Sequence, residues 1–124
     1  MGRVLVIDDD DSMRGAIRKI LERDGHVVTE AENGRVGLAL FRATGADVVV
    51  TDLIMPEKEG IETIMELRAE SDQVRILAMS GNELLLASGE GRLQDAETLG
   101  ANASLAKPFS VDQLRNAVAG LLRS

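Results

Sequence analysis

Four consecutive aspartates, Asp8 to Asp11, follow directly on the apolar run Val4-Leu5-Val6-Ile7. Another, Asp52, follows the run that contains Val48, Val49 and Val50. Ser80 and Gly81 end a third run over Arg75 to Met79, and Lys107 and Pro108 end a fourth over Ala103 to Ala106. Carboxylates gathered in one place repel one another and raise each other's pKa unless a cation joins them. With a backbone carbonyl and waters they form the hard-oxygen donor set that suits Mg²⁺. A metal held between carboxylates neutralises charge on an incoming phosphoryl group, which Asp52 could accept as an acyl phosphate. Lys107 supplies a mobile point charge for one phosphoryl oxygen, and Ser80 a hydroxyl hydrogen bond for another. Phosphoryl transfer asks for little else, because it works mainly by positioning and charge stabilisation.

Each of these residues has a plainer reading when taken alone. Asp11 suits a helix N-cap, and Asp10 with Asp11 reads as the acidic start of a helix. Asp52 alone reads as a loop acid, Ser80 as a turn residue and Lys107 as a surface lysine. Their joint occurrence at strand ends favours chemistry. His26, the only histidine, reads as a loop residue near a turn with no role. Gly89-Glu90-Gly91 follows no clear strand and lacks the third glycine of a nucleotide-binding fingerprint.

The elements that must position these side chains follow from the spacing of apolar residues. Val4 to Ile7 is a continuous β-branched-rich run, as expected of a strand buried on both faces. Met13, Ile17, Ile20 and Leu21 recur at helical spacing, and Asp24-Gly25 ends that helix. Val27 to Ala31 predicts a more polar edge strand. Asn33-Gly34 precedes a helix through Val36, Leu40 and Phe41. Ala46 to Thr51 predicts a central strand, and Ile61, Ile64 and Met65 one face of a third helix. Arg75 to Met79 predicts a fourth strand, followed by a loop, a short helix and a fifth strand over Ala103 to Ala106. Leu114, Ala117, Val118, Leu121 and Leu122 mark a final amphipathic helix, with Ser110 and Gln113 as its capping box. Strands alternating with helices predict an α/β fold, a flavodoxin-like (βα)5 doubly wound parallel sheet. The apolar strands belong in the middle, consistent with the order 2-1-3-4-5. In such sheets ligands bind at the carboxyl ends of the strands, where the acids, Ser80 and Lys107 fall.

The 124 residues suit one domain, residues 1–124. With 14 basic and 21 acidic residues the net charge is −7, which argues against direct nucleic-acid binding by this domain. No apolar run approaches the roughly 20 residues of a membrane span, and Val4 to Ile7 is too short for a signal peptide. There is no cysteine, which fits a reducing compartment. The expected location is cytoplasmic.

The chain resembles the response-regulator receiver family of two-component signalling over essentially its whole length. The resemblance rests on Val6-Ile7-Asp8-Asp9, the stretch Asp52-Leu53-Ile54-Met55-Pro56-Glu57-Lys58-Glu59-Gly60, Ser80-Gly81, and Gly100-Ala101 leading to Lys107-Pro108-Phe109. It implies that Asp52 is the phosphoacceptor and that Asp9, Asp52 and the backbone carbonyl of Ile54 ligate Mg²⁺, with Asp8 acting mainly through water. It implies that Lys107 and Ser80 hold phosphoryl oxygens and that the Lys107–Pro108 bond is cis. The donor would be a phosphohistidine on a histidine kinase or histidine phosphotransfer protein, and the output an effector domain or target protein. Such a domain is not an enzyme beyond its own phosphorylation and dephosphorylation.

Two rival readings can be set beside this one. Asp8-x-Asp10 after an apolar strand resembles the nucleophile motif of haloacid-dehalogenase-type phosphohydrolases, with Asp8 as nucleophile, but the later acidic pair is missing. A degenerate receiver that only binds partners conflicts with the complete set Asp8, Asp9, Asp52, Ser80 and Lys107. The chain also departs from the family. The aromatic usual on the fifth strand is replaced by Ser104, and the stretch from Ser80 to Lys107 is longer than usual. Within that stretch Leu84-Leu85-Leu86 reads as core in preference to an exposed partner patch. Without the aromatic, activation is expected to produce a modest change. Amide resonances of the fifth strand should shift only slightly on phosphorylation, and large shifts there would overturn that expectation.

Overall fold

The computed structural model describes residues 2–53, 60–80 and 100–123. The elements run β1 (Arg3–Ile7), α1 (Asp11–Arg23), β2 (Val27–Ala31), α2 (Gly34–Thr44), β3 (Val48–Asp52), α3 (Gly60–Glu70), β4 (Arg75–Ser80), β5 (Ala103–Ala106) and α4 (Val111–Arg123). All strand pairings are parallel, and the sheet order is β2-β1-β3-β4-β5, as the apolar character of the strands predicts. The short helix and Leu84-Leu85-Leu86 expected between Ser80 and Gly100 lie outside the described residues.

Side chains alternate across a strand, so each apolar run feeds two cores. Leu5, Ile7, Val49, Ile76 and Ala78 pack with Leu38 of α2 and Ile64 and Leu67 of α3. Val4, Val6, Val48, Val50, Leu77 and Met79 pack with Ile17 and Leu21 of α1 and Leu114, Val118 and Leu121 of α4. Two helical layers therefore enclose the sheet. Each fully buried Ile or Leu contributes about 1.5–3 kcal/mol relative to exposure, so the doubly covered centre outweighs the edges. β1, β3 and β4 are almost wholly buried, whereas β5 is only partly so.

Capping chemistry sets several helix ends. Asn33 Oδ1 accepts from the Val36 N–H at 2.9 Å, starting α2. The Ser110–Gln113 box closes reciprocally: the Ser110 N–H donates to Gln113 Oε1 at 2.7 Å, and the Gln113 N–H to Ser110 Oγ at 3.0 Å. Arg68 ties α3 to the approach to β5, its guanidinium donating to the carbonyls of Val74 and Gly100, both at 2.8 Å, and to Asn102 Oδ1 at 2.9 Å.

Three expectations need correction. The N-cap of α1 is Asp10, not Asp11: Asp10 Oδ1 accepts from the N–H groups of Ser12 and Met13 at 3.0 and 3.1 Å. Asp11 is the first helical residue and pairs with Arg14. The third strand is Val48–Asp52, not Ala46–Thr51: its pairing with β1 begins at Val4↔Val48, and its pairing with β4 runs on to Asp52 in register with Met79. Met65 is 49% exposed. The buried face of α3 is Gly60, Thr63, Ile64 and Leu67, an i, i+3, i+4, i+7 set one position out of phase with Met65. His26 does lie between elements, but it is buried and its Nδ1 accepts from the Gly2 N–H at 3.1 Å.

Two glycines are expected to respond oppositely to alanine. A Cβ on Gly60 would overlap the Asp52 carbonyl oxygen and come within 2.5 Å of Leu53 Cα, whereas one on Gly15 meets nothing within 4 Å. Urea unfolding should find Gly60→Ala less stable by about 1–3 kcal/mol. Gly15→Ala in mid-helix should be more stable by about 0.5–1 kcal/mol. Equal midpoints for the two variants would contradict this packing.

Candidate functional site

Parallel strands present all their carboxyl ends at one edge, and four of the five deliver polar side chains there. Asp8 follows β1, and its N–H extends the ladder to Ala31 O at 3.1 Å. Its side chain is fully buried, with Oδ1 accepting from the Asp10 N–H at 2.9 Å. Asp9 follows it and is exposed. Asp52 is the last residue of β3 and is buried. The register Val4↔Val48 between the adjacent strands β1 and β3 sets Asp8 beside Asp52. Carboxylate oxygens of Asp8, Asp9 and Asp52 all lie within 4.8 Å of one another.

Lys107 reaches the same point from the far side of β4. Its N–H donates to Ser80 O at 2.6 Å, which fixes the end of β5 against that of β4. Its Nζ then donates to Asp52 Oδ2 at 3.0 Å and to Asp8 Oδ2 at 3.5 Å. The Lys107–Pro108 peptide is cis, as the resemblance implies. Ser80 closes β4 and is fully buried, and its Oγ has no hydrogen-bond partner among the described residues. A buried hydroxyl left without a partner costs about 1–3 kcal/mol, so this atom is suited to a ligand oxygen.

The electrostatics follow from burial and crowding. Burial pushes the Asp8 carboxyl above the ordinary carboxylate range, and the charge of Asp52 pushes the same way. The Asp10 N–H and the Lys107 ammonium oppose that rise without cancelling it. Burial alone would pull Lys107 down, but Asp52 and then Asp8 hold its ammonium above its usual value. Among the described residues one ammonium, paired with Asp52 and Asp8, meets a cluster of three carboxylates, and the surplus of oxygen donors fits a hard divalent cation.

The structure brings Asp8, Asp9, Asp52 and Lys107 together, with Ser80 bonded through its carbonyl to the same lysine. Ile54, expected to offer a backbone carbonyl, lies outside the described residues. Asp10, the second acid of the Asp8-x-Asp10 pair, caps α1. Ser104 stands on β5 in register with Ala78, and Phe109 packs with the α1–α4 core. Sequence reasoning missed Arg14, whose Nη1 donates to the Asp8 carbonyl at 2.8 Å. Its spacing from Asp11 was a weak signal, because the second anchor, Glu30, lies on β2.

Comparison with known proteins matches residues 4–119 to the family described as the response regulator receiver domain. Response regulator MprA of Mycolicibacterium vanbaalenii is 35% identical over 121 residues, covering 98% of this chain and 50% of MprA. The chain thus spans half the length of that relative. Chemotaxis protein CheY of Bacillus subtilis is 33% identical over 117 residues, covering 94% of this chain and 93% of CheY. A response regulator receiver domain protein from Clostridium thermocellum superposes with a TM-score of 0.89 at 27% identity, covering 99% of this chain and 95% of that one.

The raised Asp8 carboxyl makes a pH prediction for the metal-free protein. Asp8 binds its proton more tightly folded than unfolded, so it favours folding at low pH. That contribution is lost as pH rises through the raised value. The stability of wild type minus that of Asp8→Asn, followed by thermal unfolding in chelator, should fall as pH rises above the ordinary carboxylate range. A flat or rising difference would show that Asp8 is not held protonated by its burial.

Proposed function

The chain belongs to the response regulator receiver domain family, and from that membership we propose that Asp52 accepts a phosphoryl group in a Mg²⁺-dependent reaction. It is a receiver domain, a signalling module of two-component systems. One observation carries the proposal: carboxylate oxygens of Asp8, Asp9 and Asp52 lie within 4.8 Å of one another, and Lys107, which follows β5, bonds to Asp52.

Asp9, Asp52 and the carbonyl of Ile54 would hold Mg²⁺ directly, and Asp8 through water. Bound there, the cation offsets charge on the incoming phosphoryl group. The chain's own residues do the rest. The Asp52 carboxylate attacks phosphorus while the P–N bond of a donor phosphohistidine breaks, the electron pair leaving on the imidazole. The new P–O bond makes an acyl phosphate at the end of β3. Lys107, now paired with Asp52 and Asp8, transfers its hydrogen bonds to a phosphoryl oxygen, and the buried Ser80 hydroxyl donates to another. Charge-assisted bonds of this kind are about twice as strong as neutral ones. Hydrolysis reverses the state: water attacks phosphorus, the P–O bond to Asp52 breaks, and inorganic phosphate leaves.

A shift from about 1% to about 99% active needs roughly 5.5 kcal/mol of differential stabilisation. The new bonds to Ser80 and Lys107 supply part of it. With Ser104 on β5 the signal travels through the end of β4 and backbone shifts. The donor is assigned as a histidine kinase or histidine phosphotransfer protein, and the output as an effector domain or separate target protein. No helix among the described residues is long and apolar enough to cross a membrane. With the net charge of −7, this supports a cytoplasmic domain that does not itself bind nucleic acid.

Intact mass after incubation with Mg²⁺ and a small acyl-phosphate donor tests the proposal. One added phosphoryl group is expected, absent without metal and absent in Asp52→Asn. Lys107→Met should slow its formation by about a hundredfold, the scale for losing one charge-stabilising donor. Absence of both an adduct and released inorganic phosphate in the wild-type reaction would overturn the reading.

A further inference from the structure

The Asp8 carbonyl lies beyond the end of β1 and ahead of the α1 N-cap, so neither regular element supplies it with a donor. Arg14 does. Its Nη1 donates to that oxygen at 2.8 Å, its Nε to Glu30 Oε1 at 3.1 Å and its Nη2 to Asp11 Oδ1 at 2.6 Å. The second oxygen of Glu30 is held by Arg18 Nη1 at 2.7 Å. The Arg14 side chain is 15% exposed, so its bonds to the Asp8 carbonyl and to Glu30 are partly buried, while the bond to Asp11 lies at the surface. A guanidinium is a rigid planar fork, and with three acceptors from three chain segments its plane has little freedom.

We propose that Arg14 is a positioning residue for the acidic cluster: by holding the Asp8 carbonyl it sets the Asp8–Asp9 peptide so that both carboxylates turn toward Asp52. This rests on the Mg²⁺ reading of that cluster. The peptide plane between Asp8 and Asp9 is the link through which both side chains are aimed, and Arg14 grips its oxygen from behind. The Asp10 N–H to Asp8 Oδ1 bond at 2.9 Å constrains the same turn from its other side.

Charge alone predicts the opposite effect. A guanidinium near a divalent cation repels it, so removing Arg14 for its charge should tighten binding. Glu30 and Asp11 already neutralise that charge locally. If Arg14 positions, its removal loosens binding, because outer residues that orient metal ligands are worth about tenfold or more in affinity. The sign of the change therefore separates the two roles.

The experiment is calorimetric titration of the full chain with Mg²⁺, for wild type, Arg14→Met, Arg14→Lys and Arg115→Met. Arg115 bonds Asp24 at the far end of α1, so Arg115→Met controls for general loss of stability. Arg14→Met should bind Mg²⁺ about tenfold more weakly, Arg14→Lys should fall between it and wild type, and Arg115→Met should match wild type. If Arg14→Met does not fold, a weakened Arg14→Lys beside an unchanged Arg115→Met supports the proposal. An affinity for Arg14→Met, or for Arg14→Lys in its place, equal to or tighter than wild type would overturn it. A wild type that binds no Mg²⁺ would overturn the cation reading itself, which the wild-type titration reports separately.

Discussion

Repulsion among Asp8, Asp9 and Asp52 is the constraint around which this end of the molecule is organised. Three carboxylates within 4.8 Å of one another, two of them buried, would push the strand ends apart unless other groups answered their charge. Lys107 answers it from β5, the Asp10 N–H from the turn, and Arg14 braces the main chain behind. None of these groups is adjacent in sequence to Asp52. The cost is tolerable because β1, β3 and β4 bury their apolar side chains on both faces, at about 1.5–3 kcal/mol for each large side chain. The apolar sheet supplies the stability, and the polar edge draws on it for function.

That division explains where small changes matter. Gly60 brings the start of α3 against the main chain at the end of β3, with its N–H donating to Leu53 O at 3.1 Å. A side chain there would move the strand end that carries Asp52. Lys107 depends likewise on the bond from its own N–H to Ser80 O. Arg68 anchors the approach to β5 from α3. The ends of β3, β4 and β5 are thus fixed mainly by backbone contacts, while the β1 end also needs a side-chain brace.

The same site bears on the proposed change of state. Lys107 is bonded to two carboxylates, and the Ser80 hydroxyl has no partner among the described residues. A phosphoryl group would satisfy both at once, giving the buried hydroxyl an acceptor and relieving the lysine of its divided pairing. No aromatic side chain stands on β5, whose residues pair directly with β4.

The sequence by itself determined a good deal. Continuous β-branched runs separated by helical patterns imply a parallel sheet covered on both faces, and the more polar strands fall at its edges. The acids, Ser80 and Lys107 all end strands, so a parallel arrangement must bring them to one edge. Capping by Ser110 and Gln113 was legible because its partners are three residues apart. Local patterns were less sure where two neighbouring residues could serve. Asp10 and Asp11 both suit an N-cap, and the choice falls to Asp10 because its oxygen reaches the Ser12 and Met13 N–H groups while Asp11 pairs with Arg14. The end of β3 depends on its register with β4, and the exposure of Met65 on the phase with which α3 meets the sheet. The brace of Arg14 on Asp8 needs Glu30, sixteen residues further on, to hold the guanidinium in place. Only tertiary structure decides such features, because each depends on a distance between segments that spacing along the chain does not specify.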